Sequence, residues 1–332
     1  MKYNINYFLN LLKDKKLVLI CDMDETFISC LRLNLINIPY HANITYPCIN
    51  FQQHNKHYEY CIQIRPYLDH FLSRMNELFE LHLMSAGSKP YIKQCLKLID
   101  PYQKYFKNRI VTQEQLFNQI DKYQTKNQMF PECNNMILAI DDRLDVWSNC
   151  STVLQIKPFN FFSKIEDILK MTSSQNDSNI KDQITQHLFQ TDTDDNYLLT
   201  LKSVFEEIHS EFFEELDKMR SVIDESKYLP DVTNIIKRKR LDILKDEIIY
   251  NANSNFNLNL NYNGLSVSEL IEIMGGEESK TLSSSVTYII DGNRSDFTQT
   301  FENNVTFEWL LESYYRWKTG DKRKYVCELK RI

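Results

Sequence analysis

The run KLVLICD at 16–22 constrains the fold more than any other stretch of the chain. It is short, rich in branched side chains and continuously apolar up to its last residue. A strand wetted on one face alternates, whereas an unbroken run of this length fits a strand covered on both faces of a parallel sheet. The same texture recurs in ELHLMS (80–85), NRIVTQ (108–113) and NMILAIDD (135–142), while YCIQIRP (60–66) alternates and ends at a proline. Between these runs, YLDHFLSRMNELF (67–79) and KPYIKQCLKLID (89–100) carry apolar residues at helical spacing. The second has proline in its first turn and stops at Pro101, both usual helix boundaries. This rhythm predicts an α/β fold with a parallel, Rossmann-like sheet.

At 332 residues the chain is long enough for two domains. A sheet domain is expected over 1–168. A polar linker (MTSSQNDSNIKDQ, 171–183) and a helical connecting segment occupy 169–245, with helices over 195–219 and 231–244. A small α/β module is expected over 246–332, from DEIIYNA through SVSELIEIMGG and VTYIIDG to the aromatic helix of NNVTFEWLLESYYRW. The net charge of −6 argues against a broad basic surface, so no direct nucleic-acid partner is expected. No run of about eighteen apolar residues predicts a membrane span, and the first residues lack the apolar core and cleavage site of a secretory leader. The eight cysteines are scattered without a CxxC pair, which fits a reducing compartment. Cys48, His54, His57 and Cys61 raise a zinc site, although their spacing matches no usual knuckle; the plain alternative is a hairpin between two strands. The KRKR run at 237–240 is either a nuclear address or a solvated helix face.

The chemistry begins where the first strand stops. In an open parallel sheet the working site lies beyond the carboxyl ends of the strands, and there stand Asp22 and Asp24. A carboxylate is already ionised at neutral pH and needs no base to act as a nucleophile. Its obstacle is repulsion by a phosphate dianion, which a Mg²⁺ ion would relieve. A second acid beside it can protonate the leaving oxygen and later activate water. The remaining parts are an acidic pair at another strand end (Asp141 and Asp142), a hydroxyl at a third (Ser85), a glycine for close approach (Gly87) and a fixed cation (Lys126). Any one of these is ordinary as a turn, a helix cap or a solvated charge. Their joint order at strand ends is not.

The order Asp22-x-Asp24-x-Thr26, Ser85, Lys126, Asp141-Asp142 resembles the haloacid dehalogenase superfamily. DMDET, IQIRPYLDHFLSRM, FELHLMSAGSKPY, LKLIDP and IDDRLDVW resemble its FCP branch, the phosphatases of the RNA polymerase II C-terminal domain; Glu25, where much of the wider superfamily has glycine, points the same way. The C-terminal module, with Gly275–Gly276 and VTFEWLLES, is similar to a BRCT domain, and Trp309 matches its core tryptophan. The resemblance implies a Mg²⁺-dependent protein serine phosphatase with Asp22 as nucleophile and Asp24 as general acid/base and carbonyl ligand. Asp142 is implied as a further metal ligand, and Asp141 as the group that holds Lys126 and the metal waters. Ser85 and Lys126 are implied to bind the phosphoryl group, with Arg65 and Asp100 as supports; Arg65 alternatively only pairs with a nearby acid. The implied partners are general transcription factors and the phosphorylated C-terminal domain of the largest RNA polymerase II subunit. The implied enzyme is monomeric and nuclear. An extended, proline-rich repeat suits an aromatic groove, and the short connection into the module places that groove between the two domains as an expectation. Three departures stand out. Tyr67 replaces the usual glycine after Arg65-Pro66, Ser85 replaces threonine, and the module lacks both a Ser/Thr-Gly after its first strand and a lysine after IIDGNRS. Packing or substrate docking is therefore the role expected of the module. The rival readings are a small-molecule phosphatase, disfavoured because no large cap insertion is evident between Asp24 and Arg65, and a non-catalytic BRCT scaffold, disfavoured by the intact acids.

Overall fold

The computed structural model describes residues 2–33, 46–132, 134–148, 150–162, 195–222, 229–252, 261–262, 265–290 and 303–326. The expected polar linker, the stretch NANS after the module's first strand and the IIDGNRS region beyond Ile290 lie wholly or largely outside them. The chain divides into two compact units, Met1–His209 and Ser210–Ile332.

The first unit runs through α1 (Ile5–Lys13), β1 (Leu17–Cys21), β2 (Ile28–Arg32), β3 (Cys48–Gln53), β4 (Lys56–Ile64) and α2 (Leu68–Leu78). It continues with β5 (Phe79–Met84), α3 (Lys89–Ile99), β6 (Ile110–Val111), α4 (Lys122–Met129), β7 (Ile137–Asp141), β8 (Val153–Gln155) and the start of α5 (Tyr197–Val222). Its main sheet has the order β6-β5-β1-β7-β8, parallel throughout. The central strand β1 is buried along its whole length, as its continuous apolar sequence requires. Register decides where the chemistry goes. Cys21 is level with Leu83 of β5 and with Ile140 of β7, so all three strands finish at the same edge of the sheet.

The strand at 60–66 is not part of this sheet. It belongs to a separate antiparallel sheet of order β2-β4-β3, inserted between β1 and α2. The expected hairpin at 48–61 is there, and a compact three-stranded insertion occupies the interval between Asp24 and Arg65 where the sequence showed no cap. Cys48 and Cys61 face each other across β3 and β4, but His57 pairs with Gln52 four residues along, about 13 Å from Cys61. The four candidate zinc ligands are therefore not brought together, in keeping with the plain hairpin. Tyr67 has φ of +64°, in the left-handed region where glycine is unstrained, which explains the family preference at that position. Its side chain is half exposed.

The second unit contains α6 (Val232–Leu241), β9 (Ile248–Asn251), β10 (Asn261–Tyr262), β11 (Leu265–Ser266), α7 (Val267–Ile273), β12 (Glu277–Ser279), β13 (Tyr288–Ile290), β14 (Asn304–Val305) and α8 (Phe307–Arg316). Its parallel sheet has the order β12-β9-β13-β14. A reciprocal Ser266–Glu269 capping box opens α7. Trp309 is fully buried, stacks on Tyr288 at 4.4 Å between ring centres and donates its indole N–H to the Gly320 carbonyl at 2.8 Å. Packing is thus its structural role. Gly275 has φ of +84°, and a Cβ there would lie 1.9 Å from the Leu241 carbonyl oxygen, so this bend admits glycine alone.

Candidate active site

Asp22 comes directly after β1, and its backbone N–H donates to the Ile140 carbonyl of β7 at 3.0 Å. That bond continues the parallel ladder by one residue and sets Asp22 beside the end of β7, where Asp141 and Asp142 stand. Donor atoms of Asp22, Asp141 and Asp142 all lie within 4.8 Å of one another, and all three residues are buried. Ser85 comes directly after β5 and is held by the Val111 carbonyl of β6. Its hydroxyl accepts the Gly87 N–H at 3.0 Å, and a Cβ on Gly87 would press at 2.8 Å on Tyr91 and Ile92. The strand-end constellation expected from sequence is therefore one site.

The cation is Lys122, not Lys126. Lys122 Nζ donates to Asp22 Oδ1 at 2.5 Å and to Asp141 Oδ2 at 2.6 Å, with its side chain almost wholly buried. Lys126, one helical turn on, lies 3.8 Å from Cys150 Sγ and 5.6 Å from the Tyr123 ring centre. The physical reason is that the segment is a helix rather than a polar loop. Asp121 caps α4 by accepting the Gln124 N–H at 2.8 Å. The buried face of α4 is then Lys122, Thr125, Lys126 and Met129, a three- and four-residue spacing written in polar residues. An Asp cap with two lysines four apart is the signal that could have raised Lys122 as a candidate.

Asp141 is fixed from three sides. Beyond Lys122, the Trp147 indole N–H donates to Oδ2 at 2.8 Å and the Arg143 backbone N–H to Oδ1 at 3.0 Å. Asp24 accepts the Tyr91 hydroxyl and lies 3.9 Å from Cys30 Sγ. Thr26 is fully buried, and its hydroxyl has no hydrogen-bond partner. Its carbonyl accepts from Arg65 at 3.1 Å, and the Arg65 guanidinium also pairs with Asp195 at 3.0 Å and stacks between Phe159 and Tyr197. Arg65 thus braces the loop behind Asp24, and Asp195 is a partner that sequence reasoning missed. Asp100 is not brought to the site. It stands at the far end of α3, about 18 Å along the helix from Ser88, and accepts the backbone N–H groups of Lys104, Tyr105 and Phe106.

The electrostatics reflect four carboxylates around one ammonium. Burial raises the Asp22 carboxyl well above its usual range; Lys122 opposes the rise, while Asp141, Asp24 and Asp142 add to it. Burial, with Asp141 and Glu25 nearby, lifts Asp142 to about 7. Burial also raises Asp24, against the Tyr91 hydrogen bond. For Lys122, burial pulls downward but the Asp22 and Asp141 carboxylates outweigh it and hold the ammonium charged. Such a centre lacks positive charge, and its exposed chemistry is hard oxygen, the donor type that suits a divalent cation such as Mg²⁺. Beside Asp24 opens a pocket of about 330 Å³, walled by Phe51, Tyr60 and Tyr91. Phe51 stacks on Tyr58 and Tyr60 with ring centres 5.2 and 6.0 Å away, so the inserted sheet supplies the aromatic wall within the first unit.

Residues 17–181 match the family described as NLI interacting factor-like phosphatase. The chain is 25% identical over 323 residues to an RNA polymerase II C-terminal domain phosphatase of Caenorhabditis elegans, covering 95% of this chain and 46% of that protein. It is 30% identical over 151 residues to the Encephalitozoon cuniculi protein of the same name, covering 46% of this chain and 34% of the relative. It therefore spans less than half the length of either relative. A solved structure of Fcp1, described as an essential RNA polymerase II CTD phosphatase, superposes with a TM-score of 0.74 at 23% identity, over 97% of this chain and 99% of the other. The α/β fold with its parallel sheet is shared across that whole span, and residues 17–181 carry the match to the NLI interacting factor-like phosphatase family.

Proposed function

We propose that the chain is a Mg²⁺-dependent protein serine phosphatase acting in the nucleus on the phosphorylated heptad-repeat C-terminal domain of the largest RNA polymerase II subunit. The observation that carries the reading is the bridge of Lys122 between Asp22 and Asp141 at the level ends of β1 and β7, with Asp142 beside it. Asp22 attacks phosphorus through a carboxylate oxygen. As the serine oxygen departs, Asp24 gives it a proton, then takes one from the water that hydrolyses the aspartyl-phosphate. Lys122 and Ser85 offer donors to the transferring phosphoryl oxygens. Asp22, Asp142 and the Asp24 carbonyl would hold Mg²⁺, with Asp141 beside them, and the ion would supply the charge that offsets repulsion between carboxylate and phosphate. Tyr91, on the aromatic wall, fixes the Asp24 carboxyl toward the pocket.

The substrate class rests on the relatives' names and on the pocket. A wall of stacked rings suits an extended, proline- and tyrosine-bearing peptide. The fission yeast RNA polymerase II CTD phosphatase Fcp1, similar in fold at a TM-score of 0.75, is bound to beryllium fluoride in its solved structure. The second unit is read as a BRCT-like module with a packing or docking role. Phosphate release from a phosphoserine repeat peptide with Mg²⁺ tests the enzymatic reading. The Asp22→Asn variant should lose at least about a thousandfold in rate, as loss of a nucleophile does. Full activity in the variant, or none in the wild type, removes the proposal. Faster turnover of sugar phosphates than of the peptide would favour a small-molecule phosphatase instead.

A further inference from the structure

A second concavity, of about 450 Å³, lies in the first unit along α3 and the edge strand β6. Its floor is apolar, made by Ile92, Leu96 and Ile110. Its rim is basic. Lys89, Lys93 and Lys97 stand four residues apart along α3, hence on one helix face, and Lys107 closes the other side. All four are exposed, and among the described residues none is in an ion pair. The one acid on the lining, Asp100, has its carboxylate occupied by three backbone N–H groups. The whole chain carries a net charge of −6, so four such lysines around an apolar floor run against its overall balance, although Lys97 Nζ donates to Gln94 Oε1 at 2.9 Å and Glu114 accepts the Lys89 backbone N–H at 3.0 Å.

The groove begins where the aromatic pocket ends. Gly87, Ser88 and Gln113 line the pocket beside Asp24, whereas the adjacent Lys89 and Thr112 line the groove. We propose that this lysine-rimmed groove binds a further phosphorylated segment of the same polypeptide whose phosphoserine sits at Asp22, so that one repeat is hydrolysed while a neighbouring repeat is held. The inference rests on the phosphatase reading above. Two features fix the occupant. Lys89 to Lys97 spans about 12 Å along the helix, the reach of roughly four extended residues, so a chain leaving the pocket crosses the lysines within one heptad. The floor takes tyrosine and proline rings, while the rim takes phosphate dianions, and a phosphorylated Tyr-Ser-Pro repeat presents both. Lysine contacts of this exposed kind are individually weak and add only when several act together.

The test uses the full chain with Lys93, Lys97 and Lys107 all replaced by glutamate. Binding is measured with the Asp22→Asn background and a repeat peptide carrying several phosphoserines, and compared with a short peptide carrying one. The triple variant should weaken binding of the multiply phosphorylated peptide by about tenfold or more and flatten its salt dependence. The short peptide should bind as before. With Asp22 intact, the same variant should raise KM on the long peptide and leave kcat and aryl-phosphate turnover unchanged. Undiminished binding of the long peptide overturns the groove, and so does an equal loss on both peptides. Because binding is read without turnover, failure of the groove is separate from failure of the phosphatase reading, which the aryl-phosphate rate reports alone.

Discussion

The two units each contain a parallel sheet, yet they differ in what they bury beside it. In the first, β1, β5 and β7 end at one level, where Asp22, Ser85 and Asp141–Asp142 stand. In the second, ring surface packs about the sheet: Trp309 stacks on Tyr288 at the start of β13, and Arg240 is held between the rings of Tyr314 and Trp317. Similar backbones thus do opposite things with polarity. The first unit buries several carboxylates around one ammonium, and the second buries ring surface, with Arg240 as a buried cation among the rings. A parallel sheet supplies a level edge; strand-end side chains decide whether that edge is a reaction site.

The sharpest way to break this comparison is at Lys122. Removing one partner of a buried ion pair leaves charge uncompensated and typically costs about 3–5 kcal/mol. Lys122→Ala should therefore lower stability by that order and reduce phosphate release on the order of a hundredfold or more, since the same ammonium faces both Asp22 and Asp141. Lys126→Met should keep most of the activity, because Lys126 contacts Cys150 and Tyr123 rather than a carboxylate. Paired rate and urea-denaturation measurements on the two variants decide the matter, and a larger rate loss at Lys126 would return the cation to the position the family resemblance implied.

Next comes the packed unit. Trp309 is fully buried, and truncating such a ring costs about 3–5 kcal/mol of transfer and cavity free energy. Trp309→Ala should lose the protection of β13 amides against hydrogen exchange while aryl-phosphate turnover at low temperature stays near the wild-type rate, since every named catalytic group lies in the first unit. A collapse of turnover with β13 protection intact would show that the division of labour is wrong.

How much of this was legible depends on which physical signal a segment leaves. Strands β1, β5 and β7 are continuous apolar runs and were readable with their terminal acids. Strands β2 and β8 were not: Ile28–Arg32 mixes serine, cysteine and arginine with its apolar residues, and Val153–Gln155 is three residues long. Helix α4 escaped because its buried face is lysine and threonine, so hydrophobic periodicity is silent although the spacing is helical. That silence moved the cation by one turn. Asp100 went astray for a different reason. Its place before a proline matched the family pattern, but a carboxylate at a helix end is satisfied by the backbone just beyond it, and spacing in sequence cannot tell a capping acid from a catalytic one.

The smallest effect is a difference in pH response. In the first unit, burial holds the His82 imidazole below its ordinary value of 6.5, against its hydrogen bond to Glu80. Its Nδ1 is buried without a partner. Nearby, burial would raise Glu80, but His82, Tyr7 and Arg109 outweigh it and bring it down to about 2. The signs run the same way for both. A histidine depressed in the folded state binds its proton more readily unfolded, so its contribution is full above pH 6.5 and is lost as pH falls below it. Glu80 adds its own loss between about pH 4.5 and 2. The second unit has no histidine at all. Between about pH 6.5 and 5, the His82 proton should lower exchange protection in β5 by at most about 1.4 kcal/mol per pH unit, partly offset by Asp142, whose folded-state value of about 7 makes its protonation favour the fold, while protection in β9 stays level. His82→Phe keeps the aromatic contacts with Tyr3 and Phe130 and removes the titration, so the β5 slope should shrink to the residue left by Asp142 and by His209, which burial also depresses. An unchanged slope in that variant would place the titrating group elsewhere. An equal slope in β9 would mean that acid loosens both units through net charge rather than through a buried imidazole.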